Sequence, residues 1–146
     1  MKFISHRGNL NGKDLNRENK IFAIEECLNL GIDVEIDIRY LNNKFYLGHD
    51  EPEHEVSLNW LLTPGLWVHS KTIETFSQLL NYVDINTFFH QTADCTLTTF
   101  GWIWVYPGKP IINKFCIAVL PETIENYDIK QAGGVCSDNI LNYYNM

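Results

Sequence analysis

The sequence predicts an α/β fold: a compact, reduced TIM-type (β/α) barrel of about seven or eight mostly parallel strands, with several helices shortened. Three observations lead there. Short apolar runs rich in β-branched and aromatic residues alternate with segments of helical spacing, the pattern of βαβ units. The chain has 146 residues, the usual size of one domain, so residues 1–146 are read as a single barrel domain. Polar, chemistry-bearing residues recur at the ends of the strand-like runs, the edge on which parallel α/β proteins build their sites. A complete barrel takes roughly 200 residues or more, and this length leaves under about 20 per strand unit. Loops or single turns must therefore replace several helices.

Taken in order, Lys2 to His6 reads as the first strand and Gly8 to Asn19 as a polar loop. Ile21, Ala23, Ile24, Cys27, Leu28 and Leu30 recur at helical spacing, and Gly31 sits where a helix ends. Asp33 to Tyr40 is the clearest strand, with Val34, Ile36 and Ile38 on one face. Leu41-Asn42-Asn43 turns the chain into a strand at Lys44 to Leu47. Ser57 caps a short helix to Leu62, and Thr72 caps one from Ile73 to Tyr82. Between them lies a strand, Leu66 to Ser70. Thr87 to His90, Trp102 to Tyr106, Phe115 to Leu120 and Gly134 to Ser137 are further strands. Thr96 to Phe100 reads as a turn of helix, and Pro121 opens another short one.

Composition narrows the function. Hydrophobic residues make up 45% and the net charge is -7, which describes a globular acidic chain. No Lys/Arg cluster offers a nucleic-acid footprint. No run of about 18 apolar residues is present to span a membrane. Lys2-Phe3-Ile4-Ser5-His6 turns polar at once, unlike a secretory leader, so the expected location is the cytoplasm. Cys27, Cys95, Cys116 and Cys136 lack metal or redox spacing and read as buried, reduced thiols. Asp50, Glu51, Glu53 and Glu55 form an acidic run in an expected loop, a solvated face.

Four clusters carry chemistry. His6-Arg7-Gly8 joins a group that titrates near neutrality to a guanidinium shaped for phosphate, with a glycine for close approach. By itself it also describes a strand end with one satisfied histidine. Glu35-x-Asp37 places two carboxylates on one strand face, where a hard divalent cation would compensate them. The same pattern fits a strand with one wet face. His49-Asp50 follows a strand and Gly48, and equally describes a polar turn. His69-x-Lys71 sets a metal-competent imidazole beside an ammonium, or else marks the cap region of the next helix.

In their order, His6-Arg7-Gly8, Glu18-Asn19, Glu35-x-Asp37, His49-Asp50 and Lys71 resemble the glycerophosphodiester phosphodiesterase family. The resemblance is good from Phe3 to Asp50, fainter over Trp67 to Lys71, and returns at Gly134-Val135-Cys136-Ser137-Asp138. It implies a metal-dependent phosphodiester hydrolase acting on a small-molecule glycerophosphodiester-like substrate, in which His6 and His49 are the acid/base pair and a cyclic phosphate is an intermediate. It also implies that Glu35 and Asp37 bind magnesium or calcium, that Arg7 and Lys71 hold the phosphate, that Glu18 supports the site and that Asn19 lies close to the cation.

Two features depart from that family. His69 stands where it has a third metal carboxylate, which moves preference toward manganese or zinc or else weakens the site. A substrate-covering insertion is reduced to Glu51 to Pro64, which leaves the pocket more open or built by other loops. His90, Tyr106 and Glu122 fall on the same expected edge and are candidates for that replacement. Trp102 and Trp104 share the Tyr106 face, and that stripe also reads as core. The competing reading is a phosphate-binding protein whose turnover was weakened by the His69 change.

Overall fold

The computed structural model describes residues 1–146. Ten strands form one mixed sheet: β1 (Lys2–His6), β2 (Asp33–Leu41), β3 (Lys44–Leu47), β4 (His54–Val56), β5 (Leu66–Ser70), β6 (Thr87–Phe89), β7 (Cys95–Leu97), β8 (Ile103–Val105), β9 (Cys116–Val119) and β10 (Gly134–Ser137). Four short helices accompany them: α1 (Ile21–Asn29), α2 (Leu58–Leu61), α3 (Ile73–Leu79) and α4 (Ile140–Tyr144). A 3-10 turn at Pro121–Thr123 follows β9.

The sheet runs β6-β5-β2-β1-β10-β9-β8-β7, with β3 and β4 added to β2 beyond the end of β1. β6, β5, β2, β1, β10, β9 and β8 are parallel neighbours, whereas β2–β3, β3–β4 and β7–β8 are antiparallel. This overturns the expected TIM-type barrel of mostly parallel strands with helices. The reason lies in the connections. A parallel crossover needs a dozen or more residues, and here hairpins and loops take up much of that length. β3–β4 lies between β2 and β5, β7 lies between β6 and β8, and β8 reaches β9 through irregular chain. No strand pairing joins β6 to β7. Isolated hydrogen bonds cross there in place of a ladder, such as the Thr99 amide to the Thr87 carbonyl at 2.9 Å.

Three local readings change as well. Cys95 to Leu97 is a strand rather than the start of a helical turn, because it pairs with β8. His54 to Val56 is a strand inside the expected acidic loop, held by β3. Ile140 to Tyr144 forms a helix that the sequence reading did not contain. The other elements match, including the side-chain caps of Ser57 and Thr72.

Alternation along the strands sorts the core into two faces. Val34, Ile36, Ile38, Leu66, Val68 and Val135 point toward Ile24 and Cys27 of α1, Leu79 of α3 and Ile140 of α4. Ile4, Trp67, Phe88, Trp104, Ile117, Val119 and Cys136 fill the opposite face. Trp67 on β5 lies 5.9 Å from Trp104 on β8, although four strands separate them in the sheet. The sheet therefore curls until its two arms meet through aromatic rings, and this inner face is the floor of the site. Three cysteines are buried free thiols, but Cys95 is exposed on the outermost strand, contrary to expectation.

Candidate metal and phosphate site

The inner-face parity continues past the strand ends. Ile4 leads to His6, Trp67 to His69 and Lys71, Phe88 to His90, Trp104 to Tyr106, and Cys136 to Asp138. Glu35 and Asp37 share that face on β2. A cavity of about 390 Å³ opens there. His6, Arg7, Glu35, His49, His69 and Lys71 line one side of it. His90, Gln91, Tyr106, Pro107 and Leu120 line the other, over Trp104 and Val119.

Two carboxylates form the base. Glu35 is 2% exposed and Asp37 0%. Asp37 Oδ2 accepts from Asn19 Nδ2 at 2.9 Å and lies 3.0 Å from Arg7 Nε. Its Oδ1 lies 3.4 Å from His69 Nδ1 and 3.6 Å from Lys71 Nζ. Glu35 Oε1 lies 3.6 Å from the same His69 nitrogen, and Oε2 lies 3.9 Å from His6 Nε2. His6 Nε2 and Lys71 Nζ lie too far to hydrogen-bond and His69 Nδ1 is poorly aligned, so Glu35 Oε2 and Asp37 Oδ1 accept no hydrogen bond despite their ion-pair contacts. Ligand atoms of Glu35, Asp37 and His69 all lie within 4.8 Å of one another.

His69 is aimed at the carboxylates from behind. Its Nε2–H donates to the His90 carbonyl at 3.1 Å, and its ring stacks on Phe88 at 4.9 Å. Nδ1 is thereby left to face Glu35 and Asp37. Burial by itself would lower the His69 pKa, but the contacts with Asp37 and Glu35 outweigh it and raise the value to about 9. The same contacts, with Arg7 and Lys71, overcome burial at Asp37 and hold its carboxyl well below the usual range.

His6 and His49, on the same side of the cavity as His69, are each paired with an aspartate through Nδ1. His6 bonds Asp138 at 2.7 Å and His49 bonds Asp50 at 2.8 Å. Asn9 Nδ2 also donates to Asp138 Oδ1 at 2.8 Å. Burial pulls the His6 pKa down, and Asp138 and Glu35 more than restore it. His6 is largely buried, while the His49 side chain is 40% exposed at the rim.

Local backbone geometry explains why these residues and not others occupy the site. Arg7 and Asn19 both adopt left-handed backbone, at φ 59° and 55°. The Arg7 amide donates to the Glu35 carbonyl, and the Asn19 amide donates to the Arg7 carbonyl. Asn19 Oδ1 then accepts the Asp37 amide at 3.0 Å. Its side chain thus takes the place of a missing strand between β1 and β3 along the edge of β2. Gly48 is needed because a Cβ there would lie 1.7 Å from the Glu51 carbonyl oxygen, and its turn delivers His49.

The other expected residues sit further out. Glu18 is buried and accepts from Arg7 Nη1 at 3.3 Å and Asn9 Nδ2 at 3.2 Å. Glu122 does not line the cavity. Its Oε1 accepts the Ser137 hydroxyl and the Asp138 amide at 2.8 and 2.9 Å, which fixes the residue that holds His6. Sequence reasoning did not single out Asn9 or give Asp138 a role. The signal for Asp138 was its place two residues after Cys136 on the inner-face parity.

Comparison with family models, with curated proteins and with solved structures finds no match.

Proposed function

We propose that this chain is a divalent-metal-dependent phosphodiester hydrolase of small-molecule diesters. The observation that carries the reading is the pair of orphaned buried oxygens, Glu35 Oε2 and Asp37 Oδ1, facing His69 Nδ1 in a cavity shared with His6, His49, Arg7 and Lys71. Asp37 Oδ1 has ion-pair contacts with His69 and Lys71 but, like Glu35 Oε2, accepts no hydrogen bond, and a buried carboxylate oxygen without one is unfavourable unless something binds it. Glu35, Asp37 and His69 would hold the cation, and the His90 carbonyl orients the imidazole as outer partners of metal-bound histidines do. When bound, a divalent cation supplies Lewis-acid stabilisation of phosphoryl charge. Two carboxylate oxygens and one imidazole admit magnesium, calcium, manganese or zinc.

The protein groups account for the rest of the reaction. Arg7 and Lys71 place positive charge against the phosphoryl oxygens. One imidazole takes the proton of the attacking oxygen as that oxygen bonds to phosphorus. The other gives a proton to the leaving oxygen as its bond to phosphorus breaks. His6 and His49 suit these tasks because an aspartate occupies Nδ1 of each and leaves Nε2 for proton transfer. Where the attacking oxygen is a neighbouring hydroxyl of the substrate, the product is a cyclic phosphate. The resemblance of the residue order to glycerophosphodiester phosphodiesterases supports the same chemistry.

The assay is a panel of phosphodiesters with each metal and with chelator. We expect metal-dependent turnover that drops about 10²- to 10⁴-fold in His6→Ala and in His49→Ala. Turnover that survives both substitutions, or no turnover on any diester, defeats the proposal.

One observation favours a second reading, a phosphate-binding protein without turnover. Arg7, Lys71 and His69 already set three cations against Glu18, Glu35 and Asp37. Phosphate binding of equal strength with and without chelator, and no hydrolysis, would select it.

A further inference from the structure

The two proton carriers are anchored in different ways. His6 is held by Asp138, which Asn9 and the Glu122 carboxylate hold in turn. The His49 ring bonds only to Asp50, its neighbour in the chain, and that side chain is 90% exposed. A partner one residue away moves with the imidazole and cannot fix its direction relative to the fold. The anchor of this segment is Arg39. It lies on β2 two residues beyond Asp37, on the same strand face, opposite Tyr46 of β3. Its Nε–H donates to the Gly48 carbonyl at 3.2 Å, and its Nη2–H donates to the His49 carbonyl at 2.5 Å. Both of its hydrogen bonds thus run to main-chain carbonyls of the His49 loop and none to a carboxylate.

Those two carbonyls belong to the peptide groups on either side of the His49 Cα. Each peptide group is planar, so only φ and ψ of residue 49 set how one stands to the other. A guanidinium is also planar and presents its donors as a rigid fork. One fork holding both carbonyls therefore restrains φ and ψ of His49, and with them the direction of its Cα–Cβ bond. The same strand holds the start of the loop, because the Gly48 amide donates to the Asp37 carbonyl at 3.1 Å. Arg39 itself does not line the cavity, whereas His49 does. Resting on the phosphodiester reading, we propose that Arg39 is a positioning residue, which acts through the Gly48 and His49 carbonyls to hold the His49 imidazole in the cavity for proton transfer. β2 then carries both the metal candidates, Glu35 and Asp37, and the clamp that keeps a proton carrier in register with them.

The test combines steady-state kinetics of the full chain with NMR of its histidine rings. The substrate is whichever of glycerophosphocholine, glycerophosphoethanolamine, glycerophosphoinositol and bis(4-nitrophenyl) phosphate turns over fastest with magnesium, calcium or manganese. Arg39→Met should lower kcat about 10- to 100-fold, the cost of a misplaced catalytic group, with KM within about twofold of wild type. Arg39→Lys keeps the charge without the fork and should recover only part of that loss. Adding Arg39→Met to His49→Ala should cost nothing further, because the loss passes through the imidazole. The His49 ring signals should shift in Arg39→Met while those of His6 and His69 stay in place. An unchanged kcat, an equal further loss in the His49→Ala background, or unmoved His49 signals overturns the inference by itself. No wild-type turnover of any of these diesters overturns it together with the phosphodiester reading.

Discussion

Asp138 sets the only hydrogen bond of the His6 ring, and it is itself held by Asn9 and by Glu122 through its amide. Asp138→Asn should therefore lower kcat about 10- to 100-fold while KM moves little, because the change misorients a proton carrier without touching the phosphate clamp. Steady-state kinetics on the best diester check this; a change confined to KM contradicts it. His69 gives a prediction without substrate. Its folded pKa of about 9 lies above the ordinary 6.5, so its contacts with Glu35 and Asp37 stabilise the metal-free protein fully below pH 6.5. That contribution fades as pH rises through about 9. With chelator present, the stability gap between wild type and His69→Gln should narrow across that window, followed by thermal denaturation at successive pH values.

At the scale of elements, the edge of β2 changes partner midway. β1 pairs with it up to Glu35 and β3 pairs from Ile38 onward. Asn19 bridges the interval with both its amide atoms. Asn19→Ala leaves the buried Asp37 amide unpaired and should destabilise the fold by about 1–3 kcal/mol in urea denaturation. Asn19→Gly suits the left-handed backbone yet lacks the amide, so a similar loss there assigns the effect to the bridge rather than to φ. Gly48→Ala forces a Cβ into the Glu51 carbonyl and should cost at least about 2 kcal/mol, with His49 displaced. Residue pattern alone could suggest His6, Glu35 and His69 on one face, because strand parity is local. It could not show that Asn19 closes a strand gap, since that depends on where β1 stops relative to β3.

The whole molecule is a curled mixed sheet with its aromatic inner face beneath the site, and it has no helix long and apolar enough to cross a membrane. Phe88 stacks between His69 and Trp104, at 4.9 and 4.6 Å, so the metal candidate rests on the core itself. A cation bound by Glu35, Asp37 and His69 should consequently stabilise the entire cooperative unit. At a concentration about 100-fold above its Kd it should add about 2.7 kcal/mol, an increase in Tm that chelator reverses and that is much reduced in Glu35→Gln. An unchanged Tm across magnesium, calcium, manganese and zinc would count against the metal reading.

The sequence by itself determined most of the strands, the two helix caps and the parity that sets Glu35 with Asp37, His69 with Lys71 and Trp104 with Tyr106, because these follow from periods of two and 3.6 and from local capping. Only the tertiary structure decided the architecture. Cys95–Leu97 and His54–Val56 became strands because β8 and β3 offered edges to pair with, which no local propensity records. Those hairpins took chain that helices would have needed, and a mixed sheet resulted in place of the expected barrel. Tertiary structure also decided what Asp138 and Glu122 do, since their partners lie 132 and 15 or more residues away in the chain.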